Sequence, residues 1–177
     1  DGLILTIGYL ILEADSVQVT DAAGKTHPAN VVAYDHASGF GLLRTVTPLD
    51  APPVELGDAS ALKERDSVLV AGFGGPQAAT RAMVVSRRPF SGSWEYLLES
   101  AIYTSPPAMN WGGAALIGPD GKLLGIGSLL VPDAIEPGTR FPGNLFVPVD
   151  VLKPILGELT REGKRAGPPR AWLGLST

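Results

Sequence analysis

Few side chains in this chain of 177 residues have the types and neighbours that chemistry requires. There are two histidines, His27 and His36, and no cysteine, so thiol catalysis, disulfides and cysteine-based zinc sites are excluded. His36 follows Asp35, and the two are the one candidate pair for a metal ion. One imidazole and one carboxylate fall short of the three or four ligands such a site needs; no metal and no cofactor is expected. Ser105 stands before Pro106 and Pro107 with no base beside it, which leaves its hydroxyl without the activation a nucleophile needs. The stretch from Pro107 to Gly127, PAMNWGGAALIGPDGKLLGIG, has the build of a loop that frames a reactive side chain: an Asn, two glycines, small residues, a turn at Pro119-Asp120-Gly121, then a strand. At its centre stands Trp111, and no serine occurs between Ser105 and Ser128.

The elements that would position these residues are short apolar runs separated by Gly, Pro, Asp and Asn. The pattern predicts strands at Leu3 to Thr6, Val17 to Thr20, Val31 to Tyr34, Gly41 to Thr45, Val68 to Gly72, Arg81 to Ser86, Trp94 to Tyr103, Ala114 to Ile117, Leu123 to Leu130 and Leu145 to Val147. Val, Ile, Tyr and Phe are enriched in them, and Asp21-Ala22-Ala23-Gly24 reads as a hairpin turn. Many short strands with regular turn signals describe an all-β barrel or sandwich. A single helix is expected over about Val149 to Arg161, with Asp150 near its start, Gly163 just past its end and Pro154 inside it.

Composition limits the partners. With 45% hydrophobic and 18% charged residues, the chain can fill a core as one domain or as two halves sharing one. A net charge of −4 argues against a nucleic-acid surface, which needs clustered Lys and Arg; the basic run from Arg161 to Arg170 reads as a solvated helix end. No stretch reaches the roughly 20 apolar residues of a membrane helix. The opening DGLILTIGYLILEADS has neither a basic flank nor a cleavage site and reads as an interior strand. The chain is therefore expected to be a fragment of a longer protein that carries targeting signals and further domains.

Four motifs in order resemble the protease domain of the HtrA (Deg) family. DGLILTIGYLILEADSVQVTDAAGKTHPANVVAYDHASGFGLLRT is similar to that family's D-G-x-I-L-T-N-x-H-V-V run followed by A-x-V-V-x-x-D-x-x-x-D-L-A-V-L-K, and VELGDASALKERDSVLVAGFGGP to L-G-D-S-x-x-L-x-x-G-D-x-V-x-A-I-G-N-P. NWGGAALIGPDGKLLGIG is similar to G-N-S-G-G-P-L-V-N-x-x-G-x-V-I-G-I-N, and NLFVPVDVLKPILGELTREGK, followed by AWLGL at Ala171 to Leu175, to the closing helix and the W-L-G-V entry into a PDZ domain. The resemblance implies a trypsin-like double β-barrel, two six-stranded Greek-key barrels with a C-terminal helix. It assigns residues 1–165 to one protease-fold domain: a first barrel over about 1–55, a second over about 65–148, a closing helix over about 149–162, and 166–177 as a linker toward a PDZ domain.

The catalytic positions of this resemblance are all substituted. Serine proteolysis needs a hydroxyl activated by an imidazole whose tautomer is fixed by a carboxylate. The family's His aligns with Tyr9, whose phenol is a poor base at neutral pH, and its Asp aligns with Gly39. Its Ser aligns with Trp111 when counted from Asn110, or with Gly112 when counted back from Leu116. Gly112 and Gly113 read either as a retained oxyanion-hole backbone or as a tight turn. Tyr9 reads as a functional phenol or as an aromatic filling the volume of the lost imidazole, and Trp111 as an anchor for a ligand or as packing against its own barrel.

The expected function is that of a catalytically inactive relative, a pseudoprotease that binds a peptide or protein in a cleft bordered by Tyr9, Trp111, Gly127 and Ser128. Two alternatives stand beside it: a hydrolase with displaced catalytic residues, and a metal-binding domain using His36 and Asp35. The resemblance also implies oligomers, a homo-oligomer or a mixed oligomer with an active protease, and a periplasmic or otherwise extracytoplasmic location.

Overall fold

Alternation of side chains sets the first strands. In β2 (Val17–Thr20) the two valines are half-buried while Gln18 and Thr20 face solvent, the period of two expected of a one-sided strand. β1 (Leu3–Ile7), β2, β3 (Thr26–Tyr34) and β4 (Phe40–Thr45) form an antiparallel sheet in the order β1-β4-β3-β2. A computed structural model describes residues 2–92 and 96–167, so Trp94, expected in a strand, and Ala171 to Leu175 lie outside the described residues.

The second lobe is a closed barrel. β5 (Ser67–Ala71), β6 (Thr80–Ser91), β7 (Leu97–Ser105), β8 (Ala115–Ile117), β9 (Leu123–Val131) and β10 (Gly143–Pro148) close in the order β10-β7-β6-β5-β8-β9. Its interior is filled by Val68, Val70, Val84, Ile102, Leu116 and Phe146. β6 runs past the expected Ser86 because Arg87, Arg88 and Pro89 interrupt the apolar pattern without ending the strand. Pro89 sits where the register with β7 shifts, a position that tolerates the missing donor, and Arg88 lies over the Tyr103 ring, 3.7 Å from its centroid.

Two expectations need correction. The first lobe is a four-stranded half-barrel, not a six-stranded barrel: residues 8–16 and 46–66 run as turns and loops, with a 3-10 turn at Gly8–Leu10, another at Ala59–Ala61 and one bridge between Leu56 and Leu123. Pro48, Pro52 and Pro53 remove donors that a further strand would need. The closing helix is also shorter. Val149–Val151 is a 3-10 turn, and α1 covers only Leu156–Glu162, because Pro154 cannot donate within a continuous helix. The turn at Asp21 to Gly24 and the helix stop at Gly163 are as expected, with Gly163 left-handed at φ 72° and Gly24 N–H donating to the Asp21 carbonyl.

One apolar cluster joins the lobes. Ile7, Ala33, Phe40 and Leu42 of the half-barrel pack with Tyr96, Leu98, Leu145 and Val147 of the barrel and with Leu152, Ile155 and Leu159 around α1. Burying each large side chain there stabilises the fold by roughly 1.5–3 kcal/mol. Past α1, Arg165 reaches back to the half-barrel: its Nε and one terminal nitrogen donate to the two carboxylate oxygens of buried Asp35 at 2.8 and 2.7 Å, the bidentate geometry that favours arginine. No helix among the described residues is long and apolar enough to cross a membrane.

Two stability outcomes are expected. Arg165→Ala leaves the Asp35 carboxylate without its partner cation and lowers stability by about 1.5–3 kcal/mol, read by denaturant unfolding; equal stability of variant and parent would contradict the clasp. Asp21 is held below the ordinary carboxylate range, first by its hydrogen bond with His27 and then by the Lys25 backbone N–H. Its folded pKa is depressed, so its contribution is full above the ordinary value near pH 4 and is lost as pH falls through the folded value. The melting-temperature gap between parent and Asp21→Asn should therefore shrink below about pH 4.

Candidate functional site

The sequence-predicted residues meet where the lobes face each other. After β1 the chain tightens into the 3-10 turn Gly8–Leu10, and this places Tyr9 over β9. The Tyr9 hydroxyl donates to the Ser128 carbonyl at 2.5 Å. Gly39 ends the tight connection from β3 to β4. Its N–H donates to the Asp35 carbonyl at 2.8 Å, and its own carbonyl accepts from Gly8 N–H at 2.7 Å. Position 39 is left-handed, φ 79°, which favours glycine.

A residue the sequence reading did not single out completes the group. Tyr96, at the end of the β6–β7 connection, is buried, and its ring lies against Gly39. Its hydroxyl is hydrogen-bonded to the fully buried Ser128 Oγ. Two phenols from opposite lobes thus converge on one serine. In the sequence Tyr96 was only an aromatic within the expected strand Trp94 to Tyr103, which starts at Leu97 in the structure, since nothing local joins position 96 to 39 or 128.

The glycine loop faces Tyr9. Asn110 Nδ2 donates to the Phe73 carbonyl at 2.9 Å, tying the loop to the segment after β5. Trp111 is half-buried and lines one hollow with Tyr9 and Gly112, and a Cβ added at Gly112 would stand 3.5 Å from the Tyr9 hydroxyl. Gly113 N–H donates to the Gly127 carbonyl at 2.9 Å and Gly127 N–H to the Ala114 carbonyl at 2.7 Å. The Gly113 donor expected of an oxyanion hole is therefore committed within the fold. Gly127 must lack a side chain, because a Cβ there would lie 2.0 Å from the Trp111 carbonyl.

An uncharged hollow opens on this surface, lined by Tyr9, Leu10, Phe73, Met109, Asn110, Trp111 and Gly112. Its apolar rim is open to solvent, with Phe73 at 79% and Met109 at 70% exposure. Gly127 and Ser128, expected on the cleft wall, lie buried beneath it. Both backbone groups of Gly127 are bonded to Gly113 and Ala114, and the Ser128 carbonyl and hydroxyl to Tyr9 and Tyr96.

The remaining candidates are dispersed. Both oxygens of Asp35 are engaged by Arg165, and Oδ2 also accepts from Ser38; His36 packs on the Tyr34 ring. Among the described residues no three or more His, Asp or Glu converge as a metal site. His27 has Nδ1 2.9 Å from Thr47 Oγ1 and Nε2 2.9 Å from Asp21 Oδ2, a bracing role in the half-barrel. Ser105 Oγ donates to the Pro142 carbonyl at 3.0 Å.

A family model described as a trypsin-like peptidase domain matches residues 1–126. The chain belongs to that family. It is 28% identical over 176 aligned positions to a serine protease Do-like HtrA of Lactobacillus helveticus, covering 94% of this chain and 42% of that protein. It is also 28% identical over 180 positions to a probable periplasmic serine endoprotease, DegP-like, of Pseudomonas putida strain W619, covering 99% of this chain and 35% of that protein. This trypsin-like domain thus spans about two-fifths or less of these relatives. Among solved structures, an HtrA-type protease AlgW with a tripeptide superposes with TM-score 0.73 at 19% identity, over 92% of this chain and 53% of that one. The MamO protease domain from Magnetospirillum magneticum gives TM-score 0.68 at 18% identity, over 86% and 82%. These likenesses establish the trypsin-like double-barrel fold, with the first lobe of this domain as a half-barrel.

Removal of the Tyr9 hydroxyl tests the bridge between lobes. Tyr9→Phe keeps the ring and should cost about 0.5–1.5 kcal/mol, the net worth of one hydrogen bond, measured by chemical denaturation; a variant as stable as the parent would show that the bridge contributes nothing.

Proposed function

We propose that this domain is a catalytically inactive trypsin-like module that binds a peptide or protein segment. The observation that carries the reading is the set of side chains at the three aligned positions. Tyr9 turns its hydroxyl onto the Ser128 carbonyl, Gly39 has no side chain, and the glycine loop carries Trp111 and Gly112 where a hydroxyl is needed. Neither histidine supplies a base, since His27 is held by Asp21 and Thr47 and His36 packs on Tyr34. Acyl transfer needs an activated nucleophile, and this group offers none.

The hollow above the site supports the binding half of the proposal. Its lining is mostly aromatic and aliphatic, with Asn110 and no charged side chain, which suits an apolar side chain of an extended segment. Trp111 and Tyr9 are the residue types that carry binding energy at such centres. In this reading residues 1–165 act as one protease-fold unit, in a homo-oligomer or in a mixed oligomer with an active protease. The periplasmic description of the Pseudomonas putida relative supports an extracytoplasmic setting.

The test uses the purified domain on an unfolded protein such as casein and on a panel of extended peptides. The expected outcome is no cleavage at high protein concentration, together with saturable binding of peptides bearing a bulky apolar residue. Trp111→Ala should weaken that binding about tenfold or more, as for a central aromatic contact. Cleavage abolished by one substitution within the domain would establish the displaced-residue hydrolase instead.

A further inference from the structure

Gly39 and Tyr96 come from different lobes and compete for one volume. A Cβ at position 39 would stand 2.1 Å from Tyr96 Cε1 and 2.4 Å from Cδ1, separations that no packed interior tolerates. Both sides are held by named partners. The Gly39 backbone is pinned by its bonds to Asp35 and Gly8, and the turn carrying it is clasped by Arg165 through Asp35. The Tyr96 ring is packed near Phe90, with ring centroids 6.1 Å apart, and is tied through its hydroxyl to Ser128 Oγ.

We infer that Tyr96 occupies the place a carboxylate at position 39 would take, and that this ring keeps the aligned triad from being rebuilt. The inference rests on the proposed reading of position 39 as the aligned carboxylate position. A side chain at 39 displaces the ring, exposes an apolar face buried between the lobes, and strips the partner from Ser128 Oγ, which has no access to water. A side chain at 39 and the Tyr96 ring in its present place thus exclude each other. With a phenol on its hydroxyl and another on its carbonyl, Ser128 becomes a bridge between lobes. Tyr96 is a positioning residue: it sets the shape beneath the hollow without lining it.

The inference predicts non-additivity. In a double-mutant cycle of Gly39→Ala and Tyr96→Ala, read by denaturant unfolding, Gly39→Ala alone should lower the folded-to-unfolded ratio about tenfold through its left-handed backbone and at least about tenfold more through the collision, within the range of contacting pairs. In the Tyr96→Ala background only the backbone loss should remain. If Gly39→Ala alone does not fold, the double variant should recover a folded chain, and its failure to do so overturns the inference. Tyr96→Phe keeps the ring and should leave the loss on Gly39→Ala undiminished; relief equal to that of Tyr96→Ala would assign the effect to the hydroxyl and overturn it, as would additivity within a factor of about two.

A second arm reads the site itself with a fluorophosphonate that labels activated serines. The chain carrying Tyr9→His, Gly39→Asp and either Trp111→Ser or Gly112→Ser should label more slowly than the same chain with Tyr96→Ala added. Equal labelling overturns the inference. Cleavage or labelling by the natural domain overturns the proposed function instead, and leaves the outcome of the stability cycle as it stands.

Discussion

Two lobes of different construction can share one core only where their surfaces interlock, and here the interlock is an aromatic ring set against a residue without a side chain. Tyr96 enters the space above Gly39 and reaches Ser128, while Tyr9 reaches the same serine from the other side. Around this point the shared cluster of Ile7, Phe40, Leu42, Leu98 and Leu145 is assembled. The half-barrel buries Ile7, Phe40 and Leu42 against residues of the closed barrel and α1, so much of its stability comes from what they lay against it. Arg165 fastens the same connection from its far side through Asp35.

That construction decides what the facing surface can do. In an active site of this type, polar groups are left poised toward a substrate. Here the Gly113 N–H, both backbone groups of Gly127 and the Ser128 carbonyl are bonded within the fold, and both serine oxygens have phenolic partners. The exposed rim is mostly apolar, with Leu10, Phe73 and Met109 beside Asn110 and Gly112 around Tyr9 and Trp111. A protein that exposes a contiguous apolar surface commonly does so to bind, and the uncharged lining separates this surface from the acidic character of the whole chain.

Much of this was legible in the order of residues. Strand positions follow from side-chain alternation and turn residues, which act over a few positions, and most expected strands lie within a few residues of the observed ones. The places of Tyr9, Gly39 and Trp111 in their loops were legible too, since motif spacing carries local geometry. The failures have local causes as well. Pro154 divided a helix that apolar periodicity had drawn as continuous, and the Arg-Arg-Pro run hid the continuation of β6 past Ser86, where Arg88 packs over Tyr103.

By itself the sequence determined the all-β class and the absence of thiol chemistry, because these follow from residue identity and short-range spacing. Only the tertiary structure decided that Tyr96 sits over Gly39, that Ser128 is bonded by phenols from both lobes, that Asp35 pairs with Arg165, and that the first lobe closes only halfway. Each of these joins residues far apart in the chain, such as 96 with 128 and 35 with 165. Contacts of that kind are fixed by the volume and hydrogen-bonding needs of the assembled core, which no stretch of sequence contains.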